Sequence, residues 1–255
     1  MGFSYKDWDE VFYPKGSHMD QYLAYYSRVF NSVEIDSTFY GIPRRSTIAR
    51  WNQATPVGFR FCLKLPRVIT HESGLRNVYG MVQDFLESAR ELGGKLGVIL
   101  IQFPPSFTSD QFSLLTDFCS ALPQDIPFAV EFRDQSWYTA SLQTASMLSD
   151  KNMCWAATEY PGLPVIISRT SSFIYIRWIG QHGTFKQHSS ERIDRSKQLD
   201  RWINEIQSKC DPDAKVFGFF NNDYAGFAVG SAIRFCSMIN LKLVIPKQPV
   251  QGRLL

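Results

Sequence analysis

The sequence predicts an α/β fold, a TIM (β/α)8-type barrel, and three observations lead to this prediction. Seven short apolar segments alternate with seven longer amphipathic segments, which indicates a repeating βα unit. The chain has 255 residues, the usual size of such a barrel, and no Gly/Ser-rich linker divides it. Charged residues stand two apart near strand ends, and a barrel interior admits polar side chains near its mouth. One domain over residues 1–255 is therefore expected.

The apolar segments predict strands at residues 32–36, 59–65, 96–103, 128–132, 153–158, 173–178 and 216–220. The amphipathic segments predict helices at residues 19–30, 44–52, 78–92, 109–121, 142–150, 190–209 and 226–238. Right-handed βα crossovers of this length form either a closed barrel or an open doubly wound sheet. The open sheet is covered by helices on both faces and calls for apolar residues on each, so the paired charges favour the barrel.

Composition sets limits on partners and location. A net charge of +3 is far from the concentrated positive stripe of a dedicated nucleic-acid-binding protein. The 5 cysteines are odd in number and widely spaced, which argues against a disulfide framework and favours a reducing, cytoplasmic location. The most apolar segment, residues 98–103, is too short to span a bilayer, so no membrane partner is expected.

The segment from Phe128 to Trp137 carries the strongest indication of a site. Glu131 and Arg133 stand two residues apart on an apolar strand and so share one face, opposite Val130 and Phe132. Charges on a buried strand need partners or a polar cavity. We therefore expect both side chains to point into the space that the sheet encloses.

Other predicted strands end in the same way. In TIM barrels the functional face is the carboxyl end of the strands, where polar tips of several strands meet. Two interpretations stay open: the tips neutralise one another and fill the barrel mouth, or they form a ligand-binding or catalytic site. The tips are Glu34, Lys64, Gln102, Glu131, Arg177, Asn221 and Asn222.

The loops after the strands add further candidates. Residues 221–226 lead from the last strand into the last helix beside Arg177, a place where barrels often bind phosphate, although Asn222 or Asp223 can also simply cap the helix. His71 follows the Lys64 strand and is able to exchange protons. Tyr40 and Trp137 lie beside the predicted mouth and are either ligand-stacking groups or loop anchors.

Most familiar chemistries find no support in the sequence. The 4 histidines are not grouped after adjacent strands, so no metal site is expected. The sequence contains no nucleophile elbow, P-loop or dinucleotide-binding glycine motif, and no cofactor is predicted. Lys64 is able to form a Schiff base, but neighbouring charges explain it equally well as a charge-balancing group.

Several motifs resemble those of one family in order and spacing. They are Gly-Phe-Ser-Tyr-Lys-Asp-Trp at 2–8, Phe-Tyr-Pro at 12–14, Val-Glu-Ile-Asp-Ser-Thr-Phe-Tyr at 33–40, Phe-Arg-Phe-Cys-Leu-Lys at 59–64, Ile-Thr-His-Glu at 69–72, Gln-Phe-Pro-Pro at 102–105, Val-Glu-Phe-Arg at 130–133 with Ser-Trp at 136–137, and Phe-Phe-Asn-Asn-Asp at 219–223. Together they resemble the YecE-like family, domain of unknown function 72. The resemblance implies a TIM barrel but no agreed activity.

The chain departs from this family at two places. Family members carry an apolar first strand before the first motif, and here only Met1 precedes it. Either the start lies further upstream, which we favour, or the barrel has seven strands and two exposed edges. In the family a histidine follows soon after the arginine that corresponds to Arg177, whereas His182 is displaced, so no role is assigned to it.

The sequence leads to one functional hypothesis and two alternatives. The hypothesis is an enzyme whose polar mouth binds a small anionic or sugar-like molecule. Glu131 would serve as acid or base, Arg133 would orient it, Lys64 and Arg177 would hold the anion, and Asn221 and Asn222 would donate hydrogen bonds. The alternatives are a protein that binds or processes nucleic acid through its phosphodiester backbone and a binding protein without catalytic activity. The reaction class and the oligomeric state stay unassigned.

Overall fold

Parallel β-strands run through the middle of the molecule in chain order. The structure is a computed structural model that describes residues 1–211 and 213–246. Its strands form a five-stranded sheet of order β1-β2-β3-β4-β5 and a three-stranded sheet of order β6-β7-β8, and all pairings are parallel. The strands are β1 (Ser32–Ile35), β2 (Arg60–Lys64), β3 (Leu96–Gln102), β4 (Phe128–Glu131), β5 (Cys154–Trp155), β6 (Ala157–Glu159), β7 (Phe173–Trp178) and β8 (Lys215–Phe220).

The strand predicted at residues 153–158 is present in two pieces. β5 pairs with β4, whereas β6 pairs with β7. Ala156 lies between the two pieces, and its backbone N–H donates to the carbonyl of Val130 at 2.8 Å. One segment of chain therefore changes partners midway and connects the two sheets.

Helices follow the strands as the alternation predicts. They are α1 (Tyr22–Val29), α2 (Arg45–Ala54), α3 (Tyr79–Arg90), α4 (Phe112–Ser120), α5 (Ser136–Thr139), α6 (Ser141–Asp150), α7 (Ser196–Lys209), α8 (Asn222–Ala225) and α9 (Ala228–Met238). The short helices α5 and α8 were not expected. The prediction that α7 starts at residue 190 was wrong, because the backbone N–H of Arg192 donates to the carbonyl of Ala225 at 2.6 Å instead of entering the helix.

The outer faces of the strands pack against the helices. Val33, Phe61, Ile99 and Val130 belong to one continuous buried cluster that includes apolar residues of α2, α3 and α4. β2, β3 and β4 are buried on both faces over most of their length. Burial on both faces is typical of parallel sheets and explains why these strands have nearly continuous apolar sequences.

The inner faces of the strands form a second buried cluster. It joins small residues, Ala129 and Ala156, to large ones, Tyr175 and Phe219, with Leu100 between them. Residues from β2, β3, β4, β5, β7 and β8 all contribute to this cluster. The strands therefore curve around a common interior, and their next inward positions toward the carboxyl ends carry polar side chains.

Met1 and Gly2 lie between the two outermost strands. The backbone nitrogen of Met1 contacts the carbonyl of Phe220 in β8, and the N–H of Gly2 donates to the carbonyl of Glu34 in β1 at 2.8 Å. Beside this dipeptide is a largely apolar cavity of about 520 Å³, lined by β8, β1, α9 and the side of α7. The first two residues thus bridge β8 and β1 at the carboxyl end only.

Candidate functional site

Polar side chains from five strands meet at the carboxyl end of the interior, the mouth, as the sequence predicts. Each is buried, with at most 8% of the residue exposed. The parallel register places Gln102 beside Glu131, and Glu34 stands two positions before the level of Lys64 on the neighbouring strand. The five residues are Glu34, Lys64, Gln102, Glu131 and Arg177.

Arg177 is the centre of an ion-pair network. Its Nε donates to Oε2 of Glu34 at 2.9 Å, and its Nη2 donates to Oε1 of the same carboxylate at 2.7 Å. Its Nη1 donates to Oε2 of Glu131 at 2.5 Å. The Tyr175 hydroxyl donates to Glu34 at 2.7 Å, and the Met1 sulfur lies 3.3 Å from Nη2. The guanidinium of Arg177 therefore has a partner at every nitrogen.

The network fixes the charge of both glutamates. Burial alone would raise the pKa of Glu131, but the charges of Arg133 and Arg177 outweigh it and lower the pKa to about 2. Burial likewise opposes ionisation of Glu34, and the charge and hydrogen bonds of Arg177 reverse its effect, so the pKa of Glu34 is lowered. Both carboxylates are ionised at neutral pH and cannot readily accept a further proton.

Arg133 supports Glu131 from the other side. Its Nε pairs with Oε1 of Glu131, and its guanidinium carbon lies 4.1 Å from the centre of the Tyr160 ring. The Arg133 side chain is 11% exposed, whereas the Arg177 side chain is 3% exposed. Among the described residues none accepts a hydrogen bond from Nη1 or Nη2 of Arg133. These nitrogens are free to donate to a bound molecule.

Lys64 differs from both arginines. Thr38 fixes the end of β2, because its hydroxyl accepts from the backbone N–H of Lys64 at 3.0 Å and bonds the Lys64 carbonyl at 2.8 Å. The ammonium lies 3.7 Å from the centre of the Phe39 ring. No carboxylate oxygen in the described part of the chain lies within 4.0 Å of it. Burial and the nearby charge of Arg177 lower the pKa of Lys64 to about 8.

Asp36 and His71 lie on the same side of the mouth as Lys64. Asp36 is 3.9 Å from Nη2 of Arg177, and burial together with the charge of Glu34 raises its pKa. His71 belongs to a π-helical turn, Val68–Glu72, and its ring packs edge-on against Phe39. Burial and the positive charge of Lys64 lower the pKa of His71 to about 4, so His71 is neutral at physiological pH.

The end of β8 is organised by capping. The Asn221 side chain accepts from the N–H of Asp223 at 2.9 Å and caps the short helix α8, which the sequence did not predict. Asn222 accepts from the N–H of Ala228, the first residue of the last helix α9, at 3.0 Å, the capping role that the sequence left open for it. Its amide nitrogen is buried without a partner among the described residues. The side-chain oxygens of both asparagines thus accept hydrogen bonds from the backbone. The amide nitrogen of Asn221 lies 3.7 Å from the Met1 sulfur.

Three further predicted residues, Gln102, Trp137 and Tyr40, differ in their burial and contacts. The side-chain N–H of Gln102 donates to the backbone carbonyl of Phe103, so one of the two amide hydrogens of Gln102 is already bonded within the fold. Trp137 is fully buried on the outer side of β4, stacks on Phe132 and donates to the carbonyl of Phe107 at 2.7 Å. It serves as a loop anchor, as the sequence left open. Tyr40 is 76% exposed and lies next to Phe39.

Tyr160 is a site residue that the sequence analysis missed. It follows β6 directly, and its ring lies under the guanidinium of Arg133. The predicted strand ended at residue 158, whereas β6 ends at Glu159. Polar residues at strand ends were taken as site candidates, and extending this rule two residues beyond 158 would have included Tyr160.

Metal-binding clusters and membrane-spanning helices are both absent from the described residues, 1–211 and 213–246. Among these no group of three or more His, Cys, Asp or Glu side chains is arranged to hold a metal ion. Within the same ranges no helix combines the length and the apolar character needed to cross a bilayer.

Comparison with known proteins identifies the family. The model of the family described as protein of unknown function DUF72 matches residues 1–253. The chain belongs to the DUF72 family. The UPF0759 protein YunF of Bacillus subtilis strain 168 is 25% identical over 92% of each chain. The UPF0759 protein YecE of Escherichia coli strain K12 is 33% identical over 46% of this chain and 43% of its own length, so this match spans less than half of that relative.

Solved structures of DUF72 proteins have the same fold. A DUF72 family protein from Thermotoga maritima MSB8 superposes with a TM-score of 0.77 at 26% identity and covers 94% of this chain and 96% of its own. One from Enterococcus faecalis V583 superposes with a TM-score of 0.79 at 23% identity and covers 98% of each chain. The YecE-like resemblance of the motifs is thus confirmed, and the chain has an α/β fold with parallel sheets.

Proposed function

We propose that this chain is a (β/α) barrel whose mouth binds a small molecule carrying an anionic group, with Lys64 and Arg133 as the cations that contact it. One observation carries this proposal. At a mouth where Arg177 has a partner at every nitrogen, the ammonium of Lys64 and the terminal nitrogens of Arg133 have no acceptor among the described residues. Charged donors held without partners in a buried site are ready to bind an anion.

Three features of the strands support the barrel. They run parallel in chain order, the segment around Ala156 connects the two sheets, and one interior cluster contains residues of six strands. Met1 and Gly2 contact both β8 and β1 at the mouth. These properties support the proposal of a TIM barrel, in which parallel strands enclose a packed interior.

The geometry favours a different distribution of roles from the one that the sequence suggested. A carboxylate with a pKa of about 2 is a weak base at neutral pH, so Glu131 fits charge balance better than proton transfer. Every nitrogen of the Arg177 guanidinium already has a partner, so Arg177 fits a structural role better than anion binding. Asp36, whose pKa is raised, is better suited to exchange protons with a bound molecule, and this favours an enzyme over a passive binding protein.

Binding of simple anions tests the proposal. We expect inorganic phosphate, oxalate or citrate to raise the melting temperature of the protein and to bind about tenfold more weakly to Lys64→Met and Arg133→Met, because one charge-assisted hydrogen bond contributes about 1.5–3 kcal/mol. Each variant is compared with its own unliganded state. Arg133→Lys, which keeps the charge, separates lost binding from lost support of Glu131.

Matched controls lie outside the mouth. Lys215, the first residue of β8, is exposed, and its ammonium lies 5.3 Å from the ring centre of Phe217. Arg169 is an exposed arginine that precedes β7 and pairs with Asp211. Lys215→Met and Arg169→Met should bind the anions like the wild type. Equal binding by all four variants would contradict the proposal, whereas tight oligonucleotide binding that weakens steeply with salt would favour the nucleic-acid alternative.

A further inference from the structure

We propose that Lys64 is a nucleophile that forms a Schiff base with a small aldehyde or ketone carrying an anionic group. The substrate class rests on the proposed anion site, because Arg133 would hold the anionic group while Lys64 attacks the carbonyl carbon. The nucleophile itself is inferred from the position and surroundings of Lys64.

The geometry holds the amine in place without consuming it. Lys64 is the last residue of β2, and its backbone N–H and carbonyl both bond the hydroxyl of Thr38, which fixes its backbone. The Phe39 ring supports the end of the side chain, with 3.7 Å between Nζ and the ring centre. An aromatic face attracts the ammonium but forms no hydrogen bond with a lone pair, so the deprotonated amine loses little there. The nitrogen is therefore positioned and remains free to react.

The surrounding charges favour the neutral amine. Burial and Arg177 lower the pKa of Lys64 to about 8, whereas Asp36, Glu131 and Glu34 act in the opposite direction. Glu34 and Glu131 are already bound to Arg177, which limits the support they give to the ammonium. With a pKa near 8, roughly a tenth of Lys64 is neutral at pH 7, far more than for an exposed lysine. His71, neutral beside Phe39, adds no positive charge to this side of the mouth.

The reaction balances without any oxidant or cofactor. The lone pair of Nζ attacks the carbonyl carbon, the carbonyl oxygen takes one proton, and Nζ loses one, which gives a carbinolamine. The hydroxyl then takes a second proton, the lone pair of Nζ forms the C=N bond as the C–O bond breaks and water leaves, and the iminium nitrogen loses its remaining proton to give the imine. The overall change is amine plus carbonyl compound to imine plus water. Asp36, which has a raised pKa, is the group on this side best suited to carry these protons.

Reductive trapping tests the inference. The purified protein is incubated with glyoxylate, pyruvate or glycolaldehyde phosphate, each with and without sodium borohydride, and the modified residue is located by peptide mass spectrometry. Borohydride converts the imine into a stable secondary amine, so the mass increase equals that of the probe less one oxygen atom. We expect the modification at Lys64, with an apparent rate that rises with pH to a midpoint near 8.

Controls separate this inference from the anion-binding proposal. Lys64→Met should lose the modification, Lys215→Met should keep it, and Lys64→Arg should keep phosphate binding but lose trapping. Glycolaldehyde, which has no anionic group, should react at least tenfold more slowly than its phosphate ester.

Each outcome has a definite meaning. Modification spread over surface lysines, with Lys64 no faster than Lys215, would overturn the inference even if phosphate still binds. Rapid trapping at Lys64 that is equal for charged and neutral aldehydes, without phosphate binding, would support the nucleophile and overturn the anion site. If Lys64→Met does not fold, Lys64→Arg provides the same comparison.

Discussion

Arg177 and Lys64 are two cations that enter the same mouth from different strands, and the structure treats them in opposite ways. Arg177 contacts two carboxylates; burial alone would lower its pKa, but the charges of Glu131 and Glu34 outweigh burial and raise the pKa well above the ordinary value. Lys64 contacts the face of a phenylalanine ring, and its pKa is lowered. The difference follows from partners rather than from depth, since both residues are buried.

This contrast separates a structural cation, Arg177, from a cation that is available to react, Lys64. A buried cation with two matched carboxylates contributes order and stays charged, because the desolvation of each ion is offset by its partners. A buried cation without partners costs stability, and such a cost is commonly found at functional sites. Variants that change one side of this contrast at a time therefore test it.

The largest effect is expected for Arg177→Met. The substitution leaves Glu34 and Glu131 buried without Arg177, so the free energy of unfolding should fall by about 3–5 kcal/mol. Urea denaturation measures the change. Arg45→Met, which removes an exposed ion pair with Glu87, is the control and should change stability by less than about 1 kcal/mol. A small loss for Arg177→Met would mean that the network is not a framework.

Acid should dismantle the Arg177 network. The folded-state pKa of Glu131 is about 2, below the ordinary value of 4.5, so its stabilisation is present above pH 4.5 and is lost as the pH falls toward 2. We expect Glu131 to account for about 2–3 kcal/mol of the acid-induced loss. Denaturant titrations at several pH values should show a smaller dependence for Glu131→Gln than for the wild type. Parallel curves for the two proteins would contradict this account.

Tyr175→Phe should have an intermediate effect on the Arg177 side. It removes the hydroxyl that donates to Glu34 at 2.7 Å and leaves the ring packing against Phe219 in place. The loss of one hydrogen bond to a buried carboxylate should cost about 2 kcal/mol. Thermal unfolding of the variant tests this, and an unchanged midpoint would show that Arg177 alone satisfies Glu34.

The smallest effect, and one of opposite sign, is expected for Lys64→Met. Removing an unpaired buried ammonium should stabilise the protein by about 1 kcal/mol at pH 7, after the lost contact with Phe39 is subtracted. The gain should fade between pH 8 and 10.5, because the folded wild type releases its proton at the lower pH and gains stability over this interval. Lys215→Met should show no such gain. A destabilised Lys64→Met variant would indicate a structural role for Lys64.

The sequence predicted the polar mouth because side chains alternate along a strand. Once Leu100 and Ala129 face the interior, Gln102 and Glu131 must do so as well. The seven strands were predicted because short apolar segments alternate with longer amphipathic ones. The change of strand partners at Ala156 was not predicted, because it depends on how tightly the sheet curves rather than on local residues.

The pairing within the mouth could not be predicted from the sequence. Glu34 in β1 and Glu131 in β4 both reach Arg177 in β7, and only the curvature of the sheet brings these three strands within reach of one side chain. The sequence therefore treated Arg177 and Lys64 as equivalent anion clamps. Which cation keeps free donors is a property of the assembled interior.

Direct titration of Lys64 tests the central contrast. In protein labelled with ¹³C at lysine Cε, NMR spectra recorded from pH 6 to 11 report the protonation of each lysine, and Lys64→Met and Lys215→Met assign the two signals. We expect the Lys64 signal to titrate near pH 8, below the ordinary lysine value of about 10.5. A Lys64 signal that titrates at the ordinary lysine value would contradict the account.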